Sequence, residues 1–132
     1  MTISFTQRIL DLTERIAQEL KQFVTPAHPG LAKAWASFGV EKGKLVIHAA
    51  FNVESVTRLA TGQYRVIFST PFPDTNYCWQ AFARNTGSQS SMKIAAARAK
   101  AEAKTPEFVE MICTTVAGTL SDSTEINLTV YR

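Results

Sequence analysis

The feature that most limits how this chain can fold is a regular apolar spacing within its first 23 residues. From Thr6 to Phe23 an apolar side chain returns every third or fourth residue, which is the period of one face of an α-helix. Ser4 or Thr6 can supply the N-cap. The spacing predicts one amphipathic helix of about five turns, and its apolar stripe consists of Phe5, Ile9, Leu12, Ile16, Leu20 and Phe23.

This stripe is narrow, because polar and charged residues flank it. Charged pairs four residues apart, Asp11 with Arg15 and Arg15 with Glu19, suit its solvated side. An isolated helix of this length is only marginally stable in water, so it must pack on its own domain or on copies of itself. We favour self-association, since a narrow stripe is typical of a bundle seam. The mean spacing is close to that of a straight helix and predicts a nearly straight bundle.

A short proline-containing segment, Thr25–Gly30, then ends the helix, because proline cannot continue it. We interpret residues 1–25 as an oligomerisation helix, 26–31 as a linker and 32–132 as a separate domain. His28 lies in the linker, where we expect an exposed residue without a catalytic role.

After the linker the chain consists of short segments rich in β-branched and aromatic residues, separated by turn-forming residues. In the clearest alternation, Tyr64, Val66 and Phe68 share one face of a strand. The fold class expected is mainly β: an N-terminal helix in a self-associated bundle, followed by a small antiparallel sandwich or barrel-like domain. Strands are predicted at Ala32–Phe38, Leu45–Val53, Tyr64–Ser69, Tyr77–Arg84, Met92–Arg98, Phe108–Val116 and Ile126–Tyr131.

One segment of this domain has conflicting signals. Residues 94–103 are strong helix formers, mostly alanine, although both flanking segments indicate strands. A short helix is one option there. We favour a strand followed by a loop, because pairing with neighbouring strands often overrides local propensity.

The charge pattern argues against a nucleic-acid-binding protein. The formal net charge is +3, and the only local excess of basic residues lies between Arg84 and Lys104. That stretch contains no aromatic residue for base stacking, so we interpret it as a solvated surface. No apolar run is long enough to cross a bilayer, and no cleavable signal precedes the helix. We expect a soluble protein that is neither inserted in a membrane nor exported by a cleaved signal.

The residues that could carry chemistry are scattered. Cys78 and Cys113 are far apart and form no CxxC motif, so we interpret both as small buried hydrophobes of a protein folded in a reducing cytoplasm. His48 is expected to be structural, and Glu107 and Glu110 to lie on opposite strand faces. We therefore predict no enzyme, catalytic residue, metal site or cofactor. Polysaccharide cleavage by carboxylates from different subunits stays open as a third hypothesis.

Six stretches of the chain form an ordered set of motifs: Arg15–Glu19 (RIAQE), Ala32–Phe38 (AKAWASF), Ala50–Thr57 (AFNVESVT), Thr61–Phe68 (TGQYRVIF), Pro73–Tyr77 (PDTNY) and Gly118–Asp122 (GTLSD). Together they resemble small tail-fibre-like structural proteins of tailed phages and prophages, cyanophages among them. The similarity covers nearly the whole chain, and the order of the motifs is more specific than any one of them. The Ala/Lys-rich run from Ile94 to Lys104 departs from the pattern.

This resemblance implies a virion protein, usually trimeric, assembled in the host cytoplasm. The N-terminal helix would then form a trimeric helical bundle. Its partners would be its own copies, other virion proteins and host cell-surface polysaccharide. It carries over no catalytic residues: Trp35 and Phe38 are expected in the core, and Gly62, Asn52 and Asp74 in turns. The function implied is a tail-fibre or tail-associated module for host attachment, with an unknown receptor face. The alternative is a decoration protein that stabilises the capsid.

Overall fold

The computed structural model describes residues 2–87 and 92–132. The chain forms two compact units, one that ends at Leu31 and one that spans Ala32–Arg132. Two predicted segments reach beyond the described residues. The helical region 1–25 begins at residue 1, and the basic stretch 84–104 includes residues 88–91.

The first unit contains helix α1, Phe5–Phe23, within one residue of the prediction. Ser4 is the N-cap, and its hydroxyl oxygen accepts a hydrogen bond from the Gln7 N–H at 3.1 Å. Arg15 donates to Glu19 at 3.1 Å as the spacing predicts, whereas Asp11 accepts from the Gln7 side chain at 2.8 Å. The helix therefore begins where the local capping signal places it.

The second unit forms eight strands within residues 32–87 and 92–132. They pair into two four-stranded antiparallel sheets, here called sheet A (order β2-β1-β8-β5) and sheet B (order β3-β4-β7-β6). This sandwich-like β architecture agrees with the predicted fold class. The strands are β1 Ala32–Glu41, β2 Lys44–Phe51, β3 Val53–Ala60, β4 Gln63–Phe68, β5 Cys78–Arg84, β6 Lys93–Ala97, β7 Phe108–Thr115 and β8 Glu125–Tyr131.

Seven strands were predicted, and the one that was missed is β3, because a single residue separates it from β2. Asn52 has a positive φ of 52° and turns the chain from sheet A into sheet B. Its side-chain oxygen accepts from the Thr70 N–H at 2.8 Å, and its amide donates to the Lys33 carbonyl at 3.0 Å. The predicted strand Leu45–Val53 thus merged one strand with the first residue of the next, because no glycine or proline marks this corner.

The core lies between the two sheets and is built from alternating residues of each strand. Tyr64, Val66 and Phe68 are all buried, which confirms the predicted alternation in β4. Phe38 is also buried, and its ring meets that of Tyr64 edge-on at 5.5 Å between centroids. The prediction that Trp35 lies in the core is wrong. Trp35 is exposed, since its neighbours in β1 take the inward positions.

Two further predictions concern the second half of the domain. The helix-forming segment contains β6 and a single 3-10 turn, Ala101–Ala103, so the preference for strand and loop is confirmed. Pairing with β7 overrides the local propensity. Cys113 is buried as predicted, but Cys78 is exposed. The prediction was wrong for Cys78 because Trp79 takes the inward position at that end of β5.

Candidate functional site

The candidate functional site is the apolar stripe of α1. At about 100° per residue, its six side chains fall within a sector roughly 80° wide. None of the helix residues is buried. The exposed fraction of the stripe side chains ranges from 47 % for Ile16 to 78 % for Phe5. Large apolar side chains aligned in this way are typical of a contact surface, and the members are Phe5, Ile9, Leu12, Ile16, Leu20 and Phe23.

The two flanks of this stripe differ, which sequence reasoning did not notice. Helical geometry places Arg8, Arg15 and Glu19 along one flank and Thr13 and Ala17 along the other. The Thr13 hydroxyl donates to the Ile9 carbonyl at 2.8 Å, which satisfies this group within the helix. Small uncharged residues permit close approach of a neighbouring helix, whereas long charged residues remain at the rim. The stripe is therefore a directional surface.

A second cluster centres on Asp122 and joins two of the sequence motifs. The Asp122 carboxylate accepts from the Arg58 guanidinium at 2.7 Å, the Gly62 N–H at 2.9 Å and the Tyr64 hydroxyl at 2.6 Å. These donors, with Arg58 foremost, lower the pKa of Asp122 to about 2. The carboxylate therefore stays ionised near neutral pH and holds the β3–β4 turn to the segment before β8. Gly62 has a positive φ of 65°, as expected for a turn.

A third cluster was missed entirely. Glu110 is only 3 % exposed although it lies on the outer side of sheet B. One of its oxygens accepts from Arg65 and the other from Arg98, each at 2.5 Å, and Arg65 also covers the Phe108 ring. Burial acts to raise the pKa of Glu110, but the hydrogen bonds of the two arginines outweigh it and hold that pKa below its usual value. Strand pairing creates this cluster, so no local motif reveals it.

These clusters correct the interpretation of the basic stretch. Arg84 and Lys100 are exposed, as predicted for a solvated surface. Lys93, Arg98 and Lys104 are partly buried and bonded within the domain. The Lys93 ammonium donates to the Asp122 carbonyl at 3.2 Å, and that of Lys104 donates to the Tyr77 carbonyl at 2.7 Å. Part of the local positive charge therefore serves the fold.

The remaining candidate residues do not converge. His28 accepts from the Gly30 N–H at 3.0 Å, and His48 is exposed, 3.8 Å from Glu41. Asp74 accepts from the Asn76 N–H at 2.8 Å, which confirms its turn role. Over the described ranges, no group of three or more His, Cys, Asp or Glu residues could hold a metal ion. Nor is any helix in that part of the chain long and apolar enough to span a membrane.

Compared with protein-family models, with curated proteins and with solved structures, the chain shows no match in any of the three. The phage resemblance of the motifs therefore stays a prediction.

Proposed function

We propose that this chain is a non-enzymatic structural protein of a bacteriophage particle that trimerises through α1 and attaches the particle to the host surface. In this proposal it is assembled in the host cytoplasm and then resides in the virion, on the tail or a tail fibre. The observation that carries self-association is the exposed stripe of α1, and the number of three copies is taken from the motif resemblance. The motif resemblance is what favours the virion over other assemblies.

Physical chemistry supports association at the stripe. Burial of an exposed leucine, isoleucine or phenylalanine contributes roughly 1 kcal/mol or more, and six such side chains lie along one side of the helix. A 19-residue helix that buries no residue has little stability of its own. Association would therefore supply the packing energy that the helix lacks, and helix formation and assembly would be coupled.

The resembling motifs support a structural role for the β-domain. Asn52 holds the corner between the sheets, Gly62 and Asp122 hold the β3–β4 turn, and Asp74 pairs with Arg132 at 2.7 Å. Asn52, Asp74 and Asp122 of these motifs thus each have partners that explain them within the fold. Three copies on one stalk would multiply weak contacts with a surface, since tethered sites raise avidity by about 10² or more.

The stalk is tested by replacing Ile16 with aspartate and measuring the mass in solution by light scattering. We expect the unaltered chain to show three times its 14.6 kDa mass, and Ile16→Asp to show a monomer. Gln18→Asp is the matched control, because it places the same residue on the opposite side of the helix and should leave the trimer intact. A monomeric unaltered chain, or a trimeric Ile16→Asp variant, would contradict the stalk.

The position on the particle is tested by immunogold labelling of purified virions. Label on tail fibres or the tail supports attachment, and label spread over the head supports the alternative of a capsid decoration protein. Particles without label would contradict a virion role altogether. Because the mass measurement and the labelling are independent, each part of the proposal can fail alone.

A further inference from the structure

The outer face of sheet A displays aromatic rings among uncharged polar side chains. Residues directly opposite each other on paired strands share a face. One row across the sheet runs from β2 to β5 as Phe51, Trp35, Thr129 and Gln80. The next row runs in the same direction as Ala49, Ser37, Asn127 and Phe82.

The three aromatic rings of these two rows are open to solvent. Their exposed fractions are 39 % for Trp35, 54 % for Phe51 and 69 % for Phe82. Trp35 and Phe51 are cross-strand neighbours, and strand geometry places Phe82 roughly 12 Å from Trp35. The face therefore has a large apolar platform and a separate smaller one, with hydroxyl and amide groups between them.

This combination matches the chemistry of a sugar chain. A pyranose ring presents C–H groups on its faces, which pack on the negative face of an aromatic ring. Its hydroxyl groups both donate and accept hydrogen bonds at the ring edge, as do the side chains of Ser37, Thr129, Asn127 and Gln80. An extended oligosaccharide can contact both platforms at once.

The charges of the face select a neutral ligand over an acidic one. At one end Arg84 is paired with Glu125 at 2.6 Å, and near the other end Arg132 is paired with Asp74. Lys33 stands at the border, and neither row contains a charged residue. An acidic polymer would therefore find no cluster of unpaired cations along the two rows.

The size of the face suits a sugar chain. Four strands, with β8 paired to β5 over its seven residues, give a projected area of roughly 450 Å², which is enough for several sugar rings. From these observations we propose that the outer face of sheet A binds a neutral polysaccharide, an inference that rests on the proposed attachment function.

The test measures how much of the protein is removed from solution by beads coupled to dextran, mannan or galactomannan, at physiological salt to screen non-specific attraction. We expect retention on at least one of these three neutral polymers and none on alginate beads. Phe51→Ala and Phe82→Ala should each weaken retention about tenfold, because each removes one stacking ring. Leu59→Ala is the matched control, since Leu59 is as exposed as Trp35 but lies on sheet B.

Absence of retention on all three neutral polymers would overturn the assignment, as would binding to alginate alone or aromatic variants that bind like the unaltered protein. Mass measurement separates this failure from failure of the proposed function. A monomer that binds the beads contradicts only the trimer, and a trimer that does not bind contradicts only the sugar face. If Phe51→Ala dissociates the trimer, the face is instead an interface between copies, and the assignment is wrong.

Discussion

The helix unit and the β unit of this chain obtain their structure in opposite ways. Helix α1 has a local cap at Ser4 and a local ion pair, Arg15 with Glu19, but none of its residues is buried. The β unit has a continuous core, and it holds its internal charges, such as Glu110 and Asp122, with partners distant in sequence. A segment can therefore be locally well specified and still depend on a partner, whereas the β unit depends on contacts made within itself.

The largest expected effect comes from the same substitution made in each unit. Phe38→Ala should lower the free energy of unfolding of the β unit by about 3–5 kcal/mol, because Phe38 is buried and its removal leaves a cavity. Phe23→Ala should leave that free energy within about 0.5 kcal/mol, but it should weaken self-association, since Phe23 belongs to the stripe. Urea titration at several protein concentrations measures both quantities. An equal loss of β-unit stability in the two variants would contradict the claim that the β unit is stabilised by its own internal contacts.

A smaller effect is expected from the buried carboxylate. Glu110→Gln should destabilise the β unit by roughly 2–3 kcal/mol, because it leaves Arg65 and Arg98 without their anion in a partly buried site. Glu102→Gln is the matched control, since Glu102 is exposed and its oxygen lies 3.7 Å from Lys100. The control should change stability by less than about 0.5 kcal/mol. Chemical denaturation at pH 7 measures both, and equal losses would show that the pair of arginines is unimportant.

The third effect depends on pH. The pKa of Asp122 is about 2 in the folded chain and about 3.9 in an unfolded one, so the folded state favours the ionised form. Its contribution, about 2 kcal/mol, is fully present above pH 4 and is lost as the pH falls through 2. The difference in unfolding free energy between the unaltered protein and Asp122→Asn should accordingly be largest at pH 6. A difference that stays constant down to pH 2 would contradict the stabilising role of the charge.

Much of the fold could be predicted because its signals are local. The helix period, the Ser4 cap and the alternation in β4 depend on residues within a few positions of each other. The Asn52 corner failed as a prediction because a single residue redirects the chain without a glycine or proline. Trp35 was assigned to the wrong face, because a large aromatic side chain is usually buried. Only the strand register shows which alternate residues point inward.

The candidate sites also differ in whether local sequence signals reveal them. The apolar stripe was readable in the sequence, because all of its members belong to one helix. The Asp122 and Glu110 clusters and the aromatic face of sheet A were not, because each joins residues from different strands. Strand register brings Arg65 opposite Glu110 and Trp35 opposite Phe51, and register is set by the packing of the whole sandwich.

By itself, the sequence determined the amphipathic helix, the residue at which this helix ends and the alternation of apolar and polar residues in the β-strands. Each of these follows from backbone geometry and the burial of apolar groups over a few residues. Tertiary structure decided which strands pair, which charges neutralise one another and which aromatic rings stay in solvent. Those outcomes depend on contacts between residues far apart in the sequence, 64 positions for Arg58 and Asp122 and 99 for the paired Ala32 and Tyr131, and no local pattern encodes them.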